Sequence, residues 1–264
     1  MSKEKRLKNQ KVAKKTVKET EDKSQYVFQE KKLDWDLNIR VRHELTKKQQ
    51  KFLDIILDKK TNIVFLKGDA GTSKSYLTVL AGLKALNAKT QSSIIYIRSP
   101  LEVGRTIGHL PGEFSDKVNA YLTPLYDKLD ELIPKSEVDM LIKSEQITGT
   151  IPNFLRGQNW NAKFIIVDES QNMSIPEMKV VISRYGKHSK LIFLADESQS
   201  DAKGNIEFMR YFDLFNNDTS KEYGIQCLSF GREDIVRSPI LGYILDKIEG
   251  KYTPPEKELM FPQN

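Results

Sequence analysis

Eight consecutive residues carry the first chemical signal: Gly68, Asp69, Ala70, Gly71, Thr72, Ser73, Lys74 and Ser75. They follow the apolar run Asn-Ile-Val-Phe-Leu and precede a helix-forming segment. The order is one residue away from the phosphate-cradling P-loop, Gly-x-x-x-x-Gly-Lys-Ser/Thr. In such a loop the backbone N–H groups and the following helix N-terminus surround phosphate oxygens. Lys74 would then reach the β- and γ-phosphates of a nucleoside triphosphate, and the Ser75 hydroxyl would bind Mg2+. Ser73 stands where the second glycine belongs, so its side chain must tolerate close phosphates. The plainer reading is a glycine-containing strand-to-helix turn.

A second feature weighs against that plainer reading. Phe164-Ile-Ile-Val runs straight into Asp168 and Glu169. The two acids follow the apolar run rather than alternate within it, so core packing does not explain them. Asp168 is expected to hold Mg2+ through water, and Glu169 to orient or deprotonate an attacking water. The rival is an acidic strand end that caps the next helix. A third apolar run, Lys190 to Ala195, ends in Asp196-Glu-Ser-Gln199. The Gln199 amide can bond a γ-phosphate or the lytic water. Upstream, the amide of Gln49 in Leu45-Thr46-x-x-Gln49 can pair with both the amino group and N7 of adenine, which points to ATP. The guanine-reading Asn/Thr-Lys-x-Asp pattern is absent. Arg237, in Asp234-Ile-Val-Arg237-Ser-Pro239, reads from the residues alone as a surface salt bridge, with a transition-state arginine finger as the sharper alternative.

These residues need a scaffold, and the chain supplies one by alternation. Leu45 to Leu57 places Phe52, Ile55 and Ile56 on one stripe, predicting an amphipathic helix. Short apolar runs at Asn62–Leu66, Ser93–Ile97, Lys163–Val167, Lys190–Leu194 and Ile225–Phe230 predict strands covered on both faces. Helical segments separate them, at Lys74–Leu86, Asp116–Ile133, Ile175–Tyr185 and Ile206–Phe215. Such alternation predicts an α/β fold with a mostly parallel sheet flanked by helices. Its chemistry sits at the carboxyl ends of the strands, where the residues above fall.

Composition narrows the class. Of 264 residues, 30% are charged, and no apolar stretch reaches the length of a membrane span. With no apolar core in the basic N-terminus, no ordinary secretory signal is expected. The single cysteine, Cys227, excludes an intrachain disulfide and fits a reducing compartment. The net charge of +6 is local. Residues 1–32 hold eleven of the 42 basic and five of the 36 acidic residues, leaving thirty-one of each in the rest. We read 1–32 as a basic flexible tail, either an arm for nucleic-acid phosphates or a solvated leader. The folded domain is expected over 33–252, with a short C-terminal tail over 253–264.

Taken in order, the motifs resemble the PhoH-like proteins. The resemblance rests on Leu-Thr-x-x-Gln49, GDAGTSKS, Arg98-Ser-Pro100, Leu110-Pro-Gly112 and Tyr121-Leu-x-Pro-Leu-Tyr126. It continues through Val167-Asp-Glu-Ser-Gln-Asn172, Ser183-Arg-Tyr-Gly186, Ala195-Asp-x-x-Gln199-x-Asp201 and Asp234-Ile-Val-Arg-Ser-Pro239. It spans roughly 45–250, and implies a single RecA-like P-loop NTPase domain related to superfamily 1 helicases, with RNA-linked activity. Carried over, Lys74, Ser75, Asp168, Glu169 and Gln199 keep the roles argued above. Arg237 becomes an arginine finger, and Arg98 falls where helicase cores contact single-stranded backbone. Ser73, Ala195 and Ser238 depart from the usual Gly, Gly and His. Such departures resemble the compact members encoded by bacteriophages, implying a bacterial host cytoplasm.

The expected function is an ATP- and Mg2+-dependent ATPase acting on single-stranded nucleic acid, RNA rather than DNA, as a helicase-like motor or remodeller. A nucleotide-gated binding protein with little hydrolysis is the alternative, prompted by Ser73. A small-molecule kinase would need a lid and acceptor pocket that the sequence does not display. One RecA-like domain supplies half of a clamped nucleotide site, so a homo-oligomeric ring, such as a hexamer, is expected to complete it. No membrane partner is expected.

Overall fold

The computed structural model describes residues 33–41, 44–99, 114–152, 155, 159–196, 204–236, 239–248 and 250. The two tails, Leu110-Pro-Gly112, Gln199 and Arg237 lie outside the described residues. The chain runs through α1 (Lys47–Leu57), β1 (Ile63–Gly68), α2 (Lys74–Asn87), β2 (Ser93–Arg98), α3 (Phe114–Leu132) and α4 (Lys135–Lys143). It continues with β3 (Ile147–Thr150), β4 (Lys163–Asp168), α5 (Ile175–Ile182), β5 (Lys190–Asp196) and α6 (Gly204–Phe215). A short α7 (Asp218–Glu222), β6 (Ile225–Phe230) and α8 (Pro239–Ile248) complete it.

The strands form one six-stranded sheet in the order β3-β2-β4-β5-β1-β6. Every pairing is parallel. Alternate side chains of the strands feed two cores, as the two-residue period of a strand requires. Val64, Leu66, Ile94, Tyr96, Phe164, Ile166, Ile192 and Leu194 pack on one face with residues of α1 to α4. Phe65, Ile95, Ile97, Ile165, Val167, Leu191 and Phe193 pack on the other with α5 and α6. Covering both faces makes the central strands apolar on consecutive positions, as expected from the sequence.

Three features differ from the sequence reading. β6 is a half-exposed edge strand rather than one covered on both faces, since only β1 pairs with it. β3, Ile-Thr-Gly-Thr, carries too little apolar signal to stand out; it forms because β2 offers it an edge. Helix α5 stops at Ile182, three residues short of the predicted end, where the chain turns so that Tyr185 can bridge Trp160.

The register aligns the sheet's carboxyl edge. Gly68 stands opposite Asp196 and Phe230, and Arg98 opposite Asp168. Strand β5 separates the P-loop strand β1 from β4, which bears the acidic pair. This is the single RecA-like domain expected. Gly68 is fixed by crowding: a Cβ there would lie 2.8 Å from the Phe230 carbonyl oxygen. No helix among the described residues is long and apolar enough to cross a membrane.

Candidate nucleotide site

Residues 68–75 turn from β1 into α2 at that edge. Gly71 takes φ 82°, a conformation that glycine adopts freely. Ser73, the N-cap of α2, also sits in the left-handed region, at φ 66° and ψ 22°, with no side-chain capping bond. The usual glycine of the motif therefore has a backbone reason as well as a steric one. A side chain there costs about 1–2 kcal/mol. Thr72 is fully buried, and its hydroxyl donates to the Asp69 carbonyl at 2.8 Å, bracing the loop.

Lys74 folds over the loop that precedes it. Its ammonium donates to the Gly68 carbonyl at 2.6 Å and the Asp69 carbonyl at 2.8 Å. Burial lowers its pKa, against the opposing pull of Asp196, Asp168, Glu169 and Asp69. The Ser75 hydroxyl donates to both Asp168 oxygens, at 3.2 and 3.3 Å. The loop and the acidic pair, 93 residues apart in sequence, thus meet.

Asp168 has two further partners. Tyr96, on the neighbouring β2, donates its hydroxyl at 2.6 Å within the core. The Glu169 backbone N–H donates at 3.1 Å. Burial, and then the Asp168 charge, push the Tyr96 pKa far up, so this phenol stays a donor. Sequence patterning treats Tyr96 as one more apolar strand residue; only the β2–β4 pairing exposes its role.

Glu169, directly after β4, takes a left-handed conformation, φ 54°. Strain of this kind concentrates at functional sites. Both carboxylate oxygens are engaged: Arg98 Nη2 lies 3.3 Å from Oε1, and Gln171 Nε2 donates to Oε2 at 2.6 Å. Gln171 in turn accepts the Asp196 backbone N–H at 3.1 Å, tying the turn after β4 to the end of β5. Burial, then the Asp168 charge, raise the Glu169 pKa, opposed by Gln171 and Arg98. A carboxylate tuned upward within a cleft suits proton transfer.

Lys74, Ser75, Asp168, Glu169 and Asp196 line one cleft of about 790 Å3 together with Leu45, Gln49, Lys128 and Glu131. That size holds a small ligand. Gln49 belongs to the same lining and is nearly buried. It closes the N-terminus of α1: its Oε1 accepts the Thr46 N–H at 3.0 Å, and Thr46 Oγ1 accepts the Gln49 N–H at 3.2 Å. The amide keeps its NH2 group and a second oxygen lone pair for a base.

The donor set fits a divalent cation carried by phosphates. Ser75 and Asp168 offer hard oxygens side by side, and Glu169 and Asp196 add negative potential. Among the described residues there is no group of three or more His, Cys, Asp or Glu that would cage an ion alone. Mg2+ characteristically takes one or two protein ligands plus phosphate oxygens.

Fold and loop together define a P-loop NTPase-type domain. The model of the family described as PhoH-like protein matches residues 41–249, and the chain belongs to that family. A PhoH-like protein of Mycobacterium leprae is 37% identical over 159 residues, covering 60% of this chain and 45% of the relative. One from Bacillus subtilis is 31% identical over 196 residues, covering 71% and 58%. The chain thus spans about half the length of these curated relatives. Among solved structures, the large terminase of a thermophilic bacteriophage superposes with a TM-score of 0.49 at 14% identity, covering 80% of this chain and 51% of that one.

Proposed function

We propose that this protein binds ATP with Mg2+, hydrolyses it, and couples turnover to single-stranded nucleic acid, RNA in preference to DNA, as a helicase-like motor or remodeller. The observation that carries the hydrolytic part is the meeting of Lys74, Ser75, Asp168 and Glu169 in one cleft.

In this reading the N-terminus of α2 and the loop N–H groups bind phosphate oxygens. Lys74 exchanges its two loop carbonyls for the β- and γ-phosphates. Ser75 and Asp168 would hold Mg2+, which would supply charge neutralisation on the phosphates. Glu169 accepts a proton from the attacking water. Gln49 reads the adenine edge, Gln199 senses the γ-phosphate, and Arg237 acts as a finger at a subunit interface. Nucleic acid, a homo-oligomeric ring and a cytoplasmic site of action, in a bacterial host if the chain is phage-borne, are parts of the same proposal.

The test is ATP turnover with and without single-stranded RNA and DNA, beside Glu169→Gln and Lys74→Ala. Glu169→Gln is expected to bind ATP while kcat falls about 10²–10⁴-fold, the range for loss of a general base. Lys74→Ala is expected to lose binding. Unchanged turnover in Glu169→Gln removes that residue from the mechanism.

The left-handed Ser73 favours a second reading. A loop strained by a side chain would bind nucleotide and change partners without efficient hydrolysis. ATP binding with no turnover in the wild-type protein, with or without polynucleotide, selects it.

A further inference from the structure

The base assigned above is held on both sides. Arg98 Nη2 meets one Glu169 oxygen and Gln171 Nε2 the other, so both contacts draw on the carboxylate's charge and leave it a weaker base for a water that bonds a remaining lone pair. The two holders are unequal. Gln171 is nearly buried and pinned by the Asp196 N–H. The Arg98–Glu169 pair keeps side-chain exposures of 21% and 23%, enough for an outside anion to reach it. Arg98 is the last residue of β2, at the carboxyl edge of the sheet, and its guanidinium fork suits phosphate as well as carboxylate.

The charge balance of the chain gives this arginine weight. Beyond residue 32 basic and acidic residues are equal in number, so outside the basic tail a polyanion meets no net attraction and relies on local contacts.

We propose that the Arg98–Glu169 ion pair is a brake on hydrolysis, released when a phosphodiester of a bound single strand takes over the Arg98 guanidinium. This rests on the hydrolytic reading above and deepens it, giving that reading its coupling to nucleic acid. No covalent step is added: Arg98 changes anionic partners, and Glu169 is freed to accept the water proton. Arg98 is a positioning residue for the base, and its loss should raise unstimulated turnover rather than lower it.

The experiment measures kcat and KM for ATP in wild type, Arg98→Gln and Arg98→Lys, with and without mixed-sequence single-stranded RNA or DNA oligonucleotides. Arg98→Gln is expected to turn over about 3–5-fold faster than wild type without oligonucleotide, the factor that a partly exposed ion pair supplies. Its KM for ATP should stay unchanged, and oligonucleotide should add nothing. Arg98→Lys, which keeps a charge but loses the fork, should fall between. Raising salt should accelerate unstimulated wild type but not Arg98→Gln, because screening weakens the pair. Arg98→Gln turnover at or below the unstimulated wild-type level overturns the brake, as does unchanged unstimulated turnover with stimulation lost. Wild-type hydrolysis that Glu169→Gln abolishes stands in either case and keeps the underlying reading. Absence of hydrolysis in wild type and Arg98→Gln alike, with ATP bound, overturns both.

Discussion

Ser73 shows how one side chain can set the character of a site. Its φ of 66° places a Cβ where the motif ordinarily has none, and its hydroxyl caps nothing. Glycine at this position relieves about 1–2 kcal/mol of left-handed strain but adds about 0.4–1 kcal/mol of unfolded-chain entropy. The balance is about 0.8 kcal/mol in favour of Ser73→Gly, or a rise of about 2–3 °C in Tm for a domain of this size. Clearing the loop should also tighten ATP binding. Thermal unfolding beside an ATP titration checks both, and a lower Tm with weaker binding would mean that the serine is an asset to the loop.

At the scale of elements, the cleft depends on α1 being anchored at both ends. Its N-terminus is closed by Thr46 and Gln49, and Gln49 lines the cleft. Its C-terminus is anchored by Lys190, the first residue of β5, whose ammonium donates to the Asp58 and Thr61 carbonyls at 2.7 and 2.8 Å. The same strand ends at Asp196, so one element links the anchor of α1 to the acidic end of the cleft. Burial pushes Lys190 down from 10.5 to about 8. Between those values the unfolded chain holds a proton that the folded protein has released. Stability therefore rises with pH across about 8 to 10.5, and below 8 the folded state bears the cost of a buried charge. Denaturant midpoints at pH 7.5 and 9.5 should show this gain in wild type and its absence in Lys190→Met.

For the whole molecule, the described residues form one RecA-like domain, which under the proposed function would supply one wall of a nucleotide site clamped between two. The proposed ring provides the second wall from a neighbour, with Arg237 reaching across. Sedimentation should then show an assembly larger than a dimer, with turnover per subunit falling on dilution into monomers. A monomer that hydrolyses ATP at the full rate would falsify the shared-site proposal. Removing residues 1–32 tests the basic tail separately: weaker oligonucleotide binding with a flatter salt dependence marks an arm, and no change marks a leader.

The sequence by itself determined the parts that are local. The P-loop residues are contiguous, so their order and the flanking strand and helix were legible without any contact map. The central strands announced themselves because burial on both faces leaves consecutive apolar residues, and Asp168 and Glu169 stood out by ending such a run. Strand β3 and the edge character of β6 were illegible, since both depend on which neighbour a strand finds rather than on its own residues. The same holds for the contacts that tune the site. Tyr96 bonds Asp168 from 72 positions away, and Arg98 meets Glu169 from 71 away, because parallel pairing of β2 with β4 sets them edge to edge. Residue types can nominate a lysine, a serine and two acids. Only the register of a folded sheet decides which tyrosine braces one acid and which arginine restrains the other.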